Sequence, residues 1–454
     1  MPACQSIRIH SSGGKEDGFG YQRVVNWNEK LFGKALDMRL ALPVLKSRSL
    51  ILSWALYDLA NQFFALNVVS LYFVRWLTLE KNMPEIFYSV SFGISTLFVA
   101  LSAPLLGAVS DETQRRRPFL VYLTLLSIVF TMLLGIPKSI LLGLIFFAIA
   151  NFGCQAAIVF YNALMLNIAP KNKIGLISGL GKMFGYSGAI LALYLIKPIV
   201  LKSGYQAAFL PTGILFLIFS LPCMIFIKDK PSPKVKIKLT SFFNKGKIIE
   251  ILKTLRHIAF DTYKYPGLSN FLKASFFALC SVNVVILFMS VYVTQVFGLN
   301  EVQIINLLAF STFFAIVGSL LSGFISDYLG HKRFLSIVFC LWIICFLLGA
   351  LARDIRLYWF IGAMVGVALG STWVVSRALA VSLAPEEKIG EVFGLFNLFG
   401  YLSGAVGSLF WGLILLFLHP LGPWGYRIAL LSLIIFMLLG FIFLLRIPKQ
   451  NKNK

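Results

Sequence analysis

Acidic residues are scarce in this chain: Asp and Glu number 18 against 41 Lys and Arg, and charged residues make only 13% of its 454 positions. Soluble domains carry about a quarter charged residues, so an ordinary water-exposed surface is excluded. Histidine is rarer still. His10, His257, His331 and His419 all fall in loops or tails, which removes a histidine metal cluster from the apolar parts. The six cysteines (Cys4, Cys154, Cys223, Cys280, Cys340, Cys345) show no C-x-x-C spacing, and five lie inside apolar runs. They read as small core residues, with neither a disulfide framework nor a zinc site. A Walker loop, G-x-S-x-G, H-E-x-x-H and nucleophile–base pairs at helical spacing are also missing. The chain is therefore not read as an enzyme or an ATP-driven pump, and nothing in it asks for a cofactor or metal.

Apolar sequence is what the chain has in excess. Hydrophobic residues are 58% of the total and mean hydropathy is +0.84. A run of ~20 apolar residues crosses a bilayer core of ~30 Å as a helix. Period-2 alternation is absent, so helices, which satisfy their own backbone groups, are the expected spanning form. Six runs fall at about 50–77, 87–109, 118–136, 139–167, 174–200 and 206–227. After a hydrophilic break from Lys228 to Tyr265, six more fall at about 270–296, 302–325, 334–352, 357–382, 389–417 and 425–445. The fold class is an all-α polytopic membrane protein with 12 transmembrane helices. Its domains are an N-terminal extension (1–48), a six-helix bundle (49–227), a basic linker (228–268), a second six-helix bundle (269–446) and a tail (447–454). The extension lacks the pattern of a signal peptide, and its stretch 31–46 has the composition of an interfacial amphipathic segment.

The formal charge of +23 is topological. Its basic residues sit between apolar runs instead of forming a patch with interleaved aromatics, so nucleic acid is not an expected partner. The linker is rich in Lys and Arg, with only Asp229, Glu250 and Asp261 as acids, and the tail carries Arg446, Lys449, Lys452 and Lys454 with none. The positive-inside rule places the termini and linker in the cytoplasm. Within the linker, Ile248, Ile251, Leu252, Leu255 and Ile258 share one helical face among lysines. Such a helix lies on an anionic lipid leaflet; a regulatory use is the alternative.

The two halves repeat each other. Residues 169–175 read A-P-K-N-K-I-G and residues 384–390 read A-P-E-E-K-I-G, each followed by F-G-Y (Phe184-Gly185-Tyr186, Phe399-Gly400-Tyr401). Upstream, Gly107-x-x-Ser110-Asp111 matches Gly323-x-x-Ser326-Asp327. Both pairs are displaced by about 215 residues, near half the chain, which makes the architecture two parallel six-helix repeats. Glycines at four-residue spacing (Gly175/Gly179, Gly181/Gly185, Gly390/Gly394, Gly400/Gly404, Gly362/Gly366/Gly370) predict close packing of the fifth, tenth and eleventh spans.

Six plus six helices in parallel repeat is the plan of the major facilitator superfamily. The stretch G-A-V-S-D-E-T-Q-R-R at 107–116 resembles its signature G-x-x-x-D-x-x-x-R-[RK], and residues 323–333 echo it. A carboxylate there (Asp111, Asp327) can cap a neighbouring helix, with Arg115, Arg116, Lys332 and Arg333 bridging to it. That makes a cytoplasmic charge latch; plain helix-end charge is the alternative. The stretch S-W-A-L-Y-D-L-A-N at 53–61 is similar to the opening of one branch, which contains the autophagy-related vacuolar amino-acid effluxer and its bacterial relatives. Tyr161-Asn162-Ala163-Leu164 with Ile168-Ala169-Pro170, then Ser178-Gly179, Gly185-Tyr186-x-Gly188 and Ser376-Arg377, resemble its further signatures. Lys182 departs from the branch, where an apolar or aromatic residue is expected. The resemblance implies a secondary transporter of a small solute, amino-acid efflux first among the candidates; a carboxylate at Asp58 adds the expectation of proton coupling, and a monomer in a bacterial inner or plasma membrane is expected. It also implies a cavity lined by the first, fourth, seventh and tenth helices.

Ionisable residues inside spans cost about 2.5–3.5 kcal/mol on insertion scales and are functional candidates by default. Asp58, Lys182 and Arg377 are the three, with Asn61, Asn162 and Asn397 (the repeat partner of Lys182) as polar supports for substrate or ion. Asp58 either binds a proton or a substrate amine, or pairs with Arg377 or Lys182 in an empty cavity. Arg377 either meets a substrate carboxylate or snorkels to the interface. Arg75 and Trp76 read as interfacial anchors. Two other functions fit the same composition: transport of a lipid-like amphiphile, and a non-transporting receptor or scaffold.

Overall fold

The computed structural model describes residues 48–113, 115–168, 174–229, 265, 267–384 and 389–448. The stretch 31–46, the linker helix around 248–258 and most of both A-P-x-x-K-I-G segments lie outside them.

Twelve helices follow one another among the described residues. In the first half they are α1 Ser49–Glu80, α2 Glu85–Thr113, α3 Arg117–Leu133, α4 Ile140–Ile168, α5 Ile174–Ser203 and α6 Phe209–Phe226. The second half holds α7 Leu268–Phe297, α8 Glu301–Leu329, α9 His331–Leu351, α10 Ile355–Leu383, α11 Ile389–Leu418 and α12 Pro423–Leu445. They coincide with the twelve apolar runs to within a few residues. Eleven are long and apolar enough to cross a membrane. The twelfth, α3, has 17 residues, the short end of the spanning range.

Local chemistry sets the boundaries. Pro118 opens α3, where its missing N–H costs nothing. Asn300 and Gln303 form a reciprocal capping box that starts α8, and the Asp354 carboxylate accepts from the Arg356 amide at the start of α10. Gly298, at φ 62°, turns the chain from α7 into α8, a conformation that a side chain disfavours. The first helix is unusual. Phe63–Tyr72 and Trp76–Glu80 are wound as π-helix, and the Ser70 hydroxyl donates to the carbonyl of Ala65 five residues back. π-Winding of this kind is often found at functional sites.

α1 and α7 are the most enclosed spans, while outward faces elsewhere expose Phe98, Leu101, Phe324, Tyr328 and Phe417. α2 packs on α11 and α5 on α8, and these pairs join the two halves. The glycine spacing works where predicted on α10. A Cβ on Gly366 or Gly370 would stand 2.1 Å from the carbonyl oxygen of Ser311 or Ala315, so α10 lies backbone-to-backbone on α8. On α11 the expectation holds only in part, because Gly394 and Gly400 have open space beside them. The close approach there falls instead at Gly407, against the Cys280 carbonyl of α7.

Candidate functional site: a central cavity

Between the halves lies a cavity of about 600 Å³, lined by Asp58, Asn61, Asn162, Lys182, Arg377 and Asn397 among others. All six residues singled out from sequence therefore reach one space, from α1, α4, α5, α10 and α11.

Asp58 is held from two sides. Trp54, one turn earlier on α1, stacks on Tyr161 of α4 with ring centroids 4.6 Å apart. The Trp54 indole donates to the Tyr161 carbonyl at 3.3 Å, and the Tyr161 hydroxyl donates to the Trp54 carbonyl at 3.1 Å. Tyr57 and Thr124 share a 2.6 Å hydroxyl contact that ties the same turn to α3. From the other side comes α5. Any Cβ on Gly181 would sit 2.5 Å from the Trp54 ring, and one on Gly185 would sit 3.4 Å from the Asp58 carboxyl carbon. The glycine pair thus lets α1 settle on α5, and the same stretch of α5 supplies Lys182. Its ammonium lies 3.0 Å from Oδ2 and 3.3 Å from Oδ1 of Asp58. Of the pairings open to Asp58, the structure contains the one with Lys182.

Arg377 also lines the cavity. Among the described residues it makes no hydrogen bond or ion pair within contact distance. Of the aromatics near this depth, Tyr186, Trp373 and Tyr401 wall the cavity, whereas Trp54 and Tyr57 pack between helices.

A second polar cluster lies at the end at which α1 finishes. Arg75 is 3% exposed at its side chain and lies 2.7 Å from the Glu301 carboxylate of α8. Its guanidinium also donates to the Ser290 carbonyl (3.0 Å), the Thr294 hydroxyl (2.7 Å) and the Tyr205 hydroxyl (3.0 Å). The Ser290 hydroxyl donates to the Ser70 carbonyl at 2.9 Å, and the Tyr426 hydroxyl donates to Glu85. Each of these links except that to Tyr205 joins the first half to the second. The reading of Arg75 and Trp76 as interfacial anchors is thereby corrected, because both are buried in the core. The signal available in sequence was an arginine inside an apolar run, with a lone acid opening a helix of the other half.

At the opposite end, where α1 begins and α12 ends, lie the residues of the expected latch. The Asp111 side chain lies outside the described ones. Arg116 donates to the Ala163 carbonyl at 3.0 Å, within the first half. Lys332 donates to the carbonyls of Leu445 (2.9 Å) and Ile447, within the second. Asp327, 78% exposed, stands 3.9 Å from His331 one turn on, and Arg115 and Arg333 are exposed. Among the described residues, Asp229 caps α3, accepting from the amides of Arg116 and Arg117 at 3.0 Å each. Residue spacing had not singled it out.

The chain matches the family model described as Vacuole effluxer Atg22 like over residues 167–454, and that of the Major Facilitator Superfamily over residues 49–273. An uncharacterized protein of Aquifex aeolicus is 28% identical over 416 residues, covering 90% of this chain and 99% of its own. The uncharacterized MFS-type transporter YxiO of Bacillus subtilis is 24% identical over 429 residues, covering 88% and 95%. Among solved structures, a bacterial homolog of the human lysosomal transporter Spinster, inward-facing and unoccupied, superimposes with TM-score 0.67. Its identity is 14%, over 88% of this chain and 96% of that one, a likeness of fold.

Proposed function

The chain belongs to the Vacuole effluxer Atg22 like family and is a multi-pass secondary transporter of the major facilitator superfamily, and from that premise we propose that it exports a small carboxylate-bearing solute, amino acids being the first class to test. The observation that carries this reading is Arg377, a cation lining an otherwise largely apolar cavity with no ion-pair partner among the described residues. An uncompensated charge is costly at such depth, and a substrate carboxylate compensates it.

Placing the basic ends of the chain in the cytoplasm makes the Arg75–Glu301 cluster the outer seal of a bacterial plasma-membrane transporter. The cavity then loads from the cytoplasm, in keeping with the efflux named for the family. Asp58 couples transport to protons: held by Lys182 in the empty state, it takes a proton when that pair opens. Asp111, Arg115 and Arg116, with Asp327, Lys332 and Arg333, hold the cytoplasmic end together as a charge latch in the outward-open state.

Flux of radiolabelled amino acids into and out of proteoliposomes, with and without a pH gradient, tests this. Wild type should accumulate solute in response to the gradient, and Asp58→Asn should lose that response. A mutant that transports as well as wild type at every pH removes the coupling role of Asp58. Unchanged flux of a carboxylate solute in Arg377→Leu removes the substrate role of Arg377.

A further inference from the structure

Asp58, Lys182 and Arg377 are the formally charged residues that line the cavity, and they leave it with one net positive charge. Their exposure is unequal. The Lys182 side chain is 45% exposed, whereas Asp58 is 8% exposed, backed by the Gly181 and Gly185 stretch of α5 and faced by the ammonium at 3.0 Å. A solute entering the cavity therefore meets two cations, and the carboxylate lies behind one of them. An ammonium group on the solute would have to displace Lys182 to reach Asp58. A carboxylate needs to displace nothing, since the Arg377 guanidinium is without a partner among the described residues. The rest of the wall favours an apolar body: Leu66, Val69, Ile286, Met289, Leu307 and Trp373 line the same space.

We propose that the cavity recognises its solute as an organic anion: a carboxylate held by Arg377 and Lys182, on an apolar body, with no binding role for an α-ammonium group. This rests on the reading of the cavity as a transport site for a carboxylate-bearing solute, and narrows it. Asp58 is then a positioning residue that holds Lys182 in place and limits the affinity for anions through its own charge.

The test uses matched solutes that differ only in charge, bound to the purified full-length protein in nanodiscs and read by calorimetry. One set is 4-methylpentanoate, leucine and 3-methylbutylamine; the other is 3-phenylpropanoate, phenylalanine and phenethylamine. The carboxylates should bind at least about tenfold more tightly than the zwitterions, with no detectable binding of the amines. The Asp58→Asn substitution should tighten carboxylate binding, because it removes the negative field and frees Lys182, whereas a site built for zwitterions would lose affinity. Arg377→Gln should weaken carboxylate binding by about tenfold or more, with partial recovery in Arg377→Lys. Zwitterions binding as tightly as the carboxylates, or weaker carboxylate binding in Asp58→Asn, overturns the proposal and leaves the broader transport reading standing. Failure of every carboxylate and zwitterion to bind overturns both. If Asp58→Asn does not fold, the wild-type comparison and the Arg377 variants decide alone.

Discussion

Arg75 of α1 and Glu301 of α8 form an ion pair of 2.7 Å across the two halves of the molecule, with side chains only 3% and 12% exposed. Tyr205 donates to the same carboxylate oxygen at 3.2 Å, and Ser290 and Thr294 of α7 accept from the same guanidinium. Under the proposed function, in which the halves part for transport, such a pair would act as a seal. Because both side chains are buried, breaking the pair by removing one partner is costly, whereas the same pair in solvent would contribute at most about 1 kcal/mol.

Removing one partner of a buried pair costs about 3–5 kcal/mol, because the other charge is left uncompensated. Glu301→Gln should therefore shift the protein toward the state open at this end. A cysteine placed at Met289, which lines the cavity, should react at least about tenfold faster with an impermeant maleimide applied from that side, over the native cysteine background. Equal rates would show that the cluster is structural and does not gate.

Lys182→Met should destabilise the protein by leaving the Asp58 carboxylate unpaired, lowering the thermal midpoint in detergent. Adding Asp58→Asn should restore most of that loss, since removing both partners deletes the charge that went unpaired. Two independent, additive losses would argue that the 3.0 Å pair contributes little to stability.

Gly370→Val should be among the most destabilising single changes in the second half. Its Cβ would press to 2.1 Å from the Ala315 carbonyl oxygen, backbone that cannot give way as a flexible side chain can. A loss of about 1–3 kcal/mol or more is expected, against almost none for Gly394→Ala, which has open space beside it. Thermal unfolding of the two variants side by side checks this.

Asp229→Ala should cost about 1 kcal/mol by removing the cap from the amides of Arg116 and Arg117. Hydrogen exchange at the first turn of α3 should rise while the α5–α8 contact keeps its protection. Unchanged exchange at that turn would mean the cap is supplied elsewhere.

Much of the fold was legible before any contact was seen. Apolar runs of spanning length give helices wherever lipid is the solvent, because no other segment can satisfy its own backbone there. The duplicated A-P-x-x-K-I-G and G-x-x-S-D segments made the halves parallel, and rarity of charge inside spans marked Asp58, Lys182 and Arg377 as candidates, three residues that line one cavity. The glycine pattern was half legible: Gly366 and Gly400 look alike in sequence, and only a neighbouring helix makes one of them an interface.

Pairing was beyond the reach of sequence. Nothing local decides that Lys182 rather than Arg377 takes Asp58; that follows from how closely α5 lies on α1. Nor could residue spacing turn Arg75 from an interfacial anchor into the centre of a buried cluster joining the halves, because Glu301, Ser290 and Thr294 come to it from the other half. The sequence by itself determined which residues must leave water and which charges must find a partner, since those are properties of single side chains and their periodicity. Tertiary structure decided which partner each charge found, because short-range electrostatics depends on a few ångströms that only packing fixes.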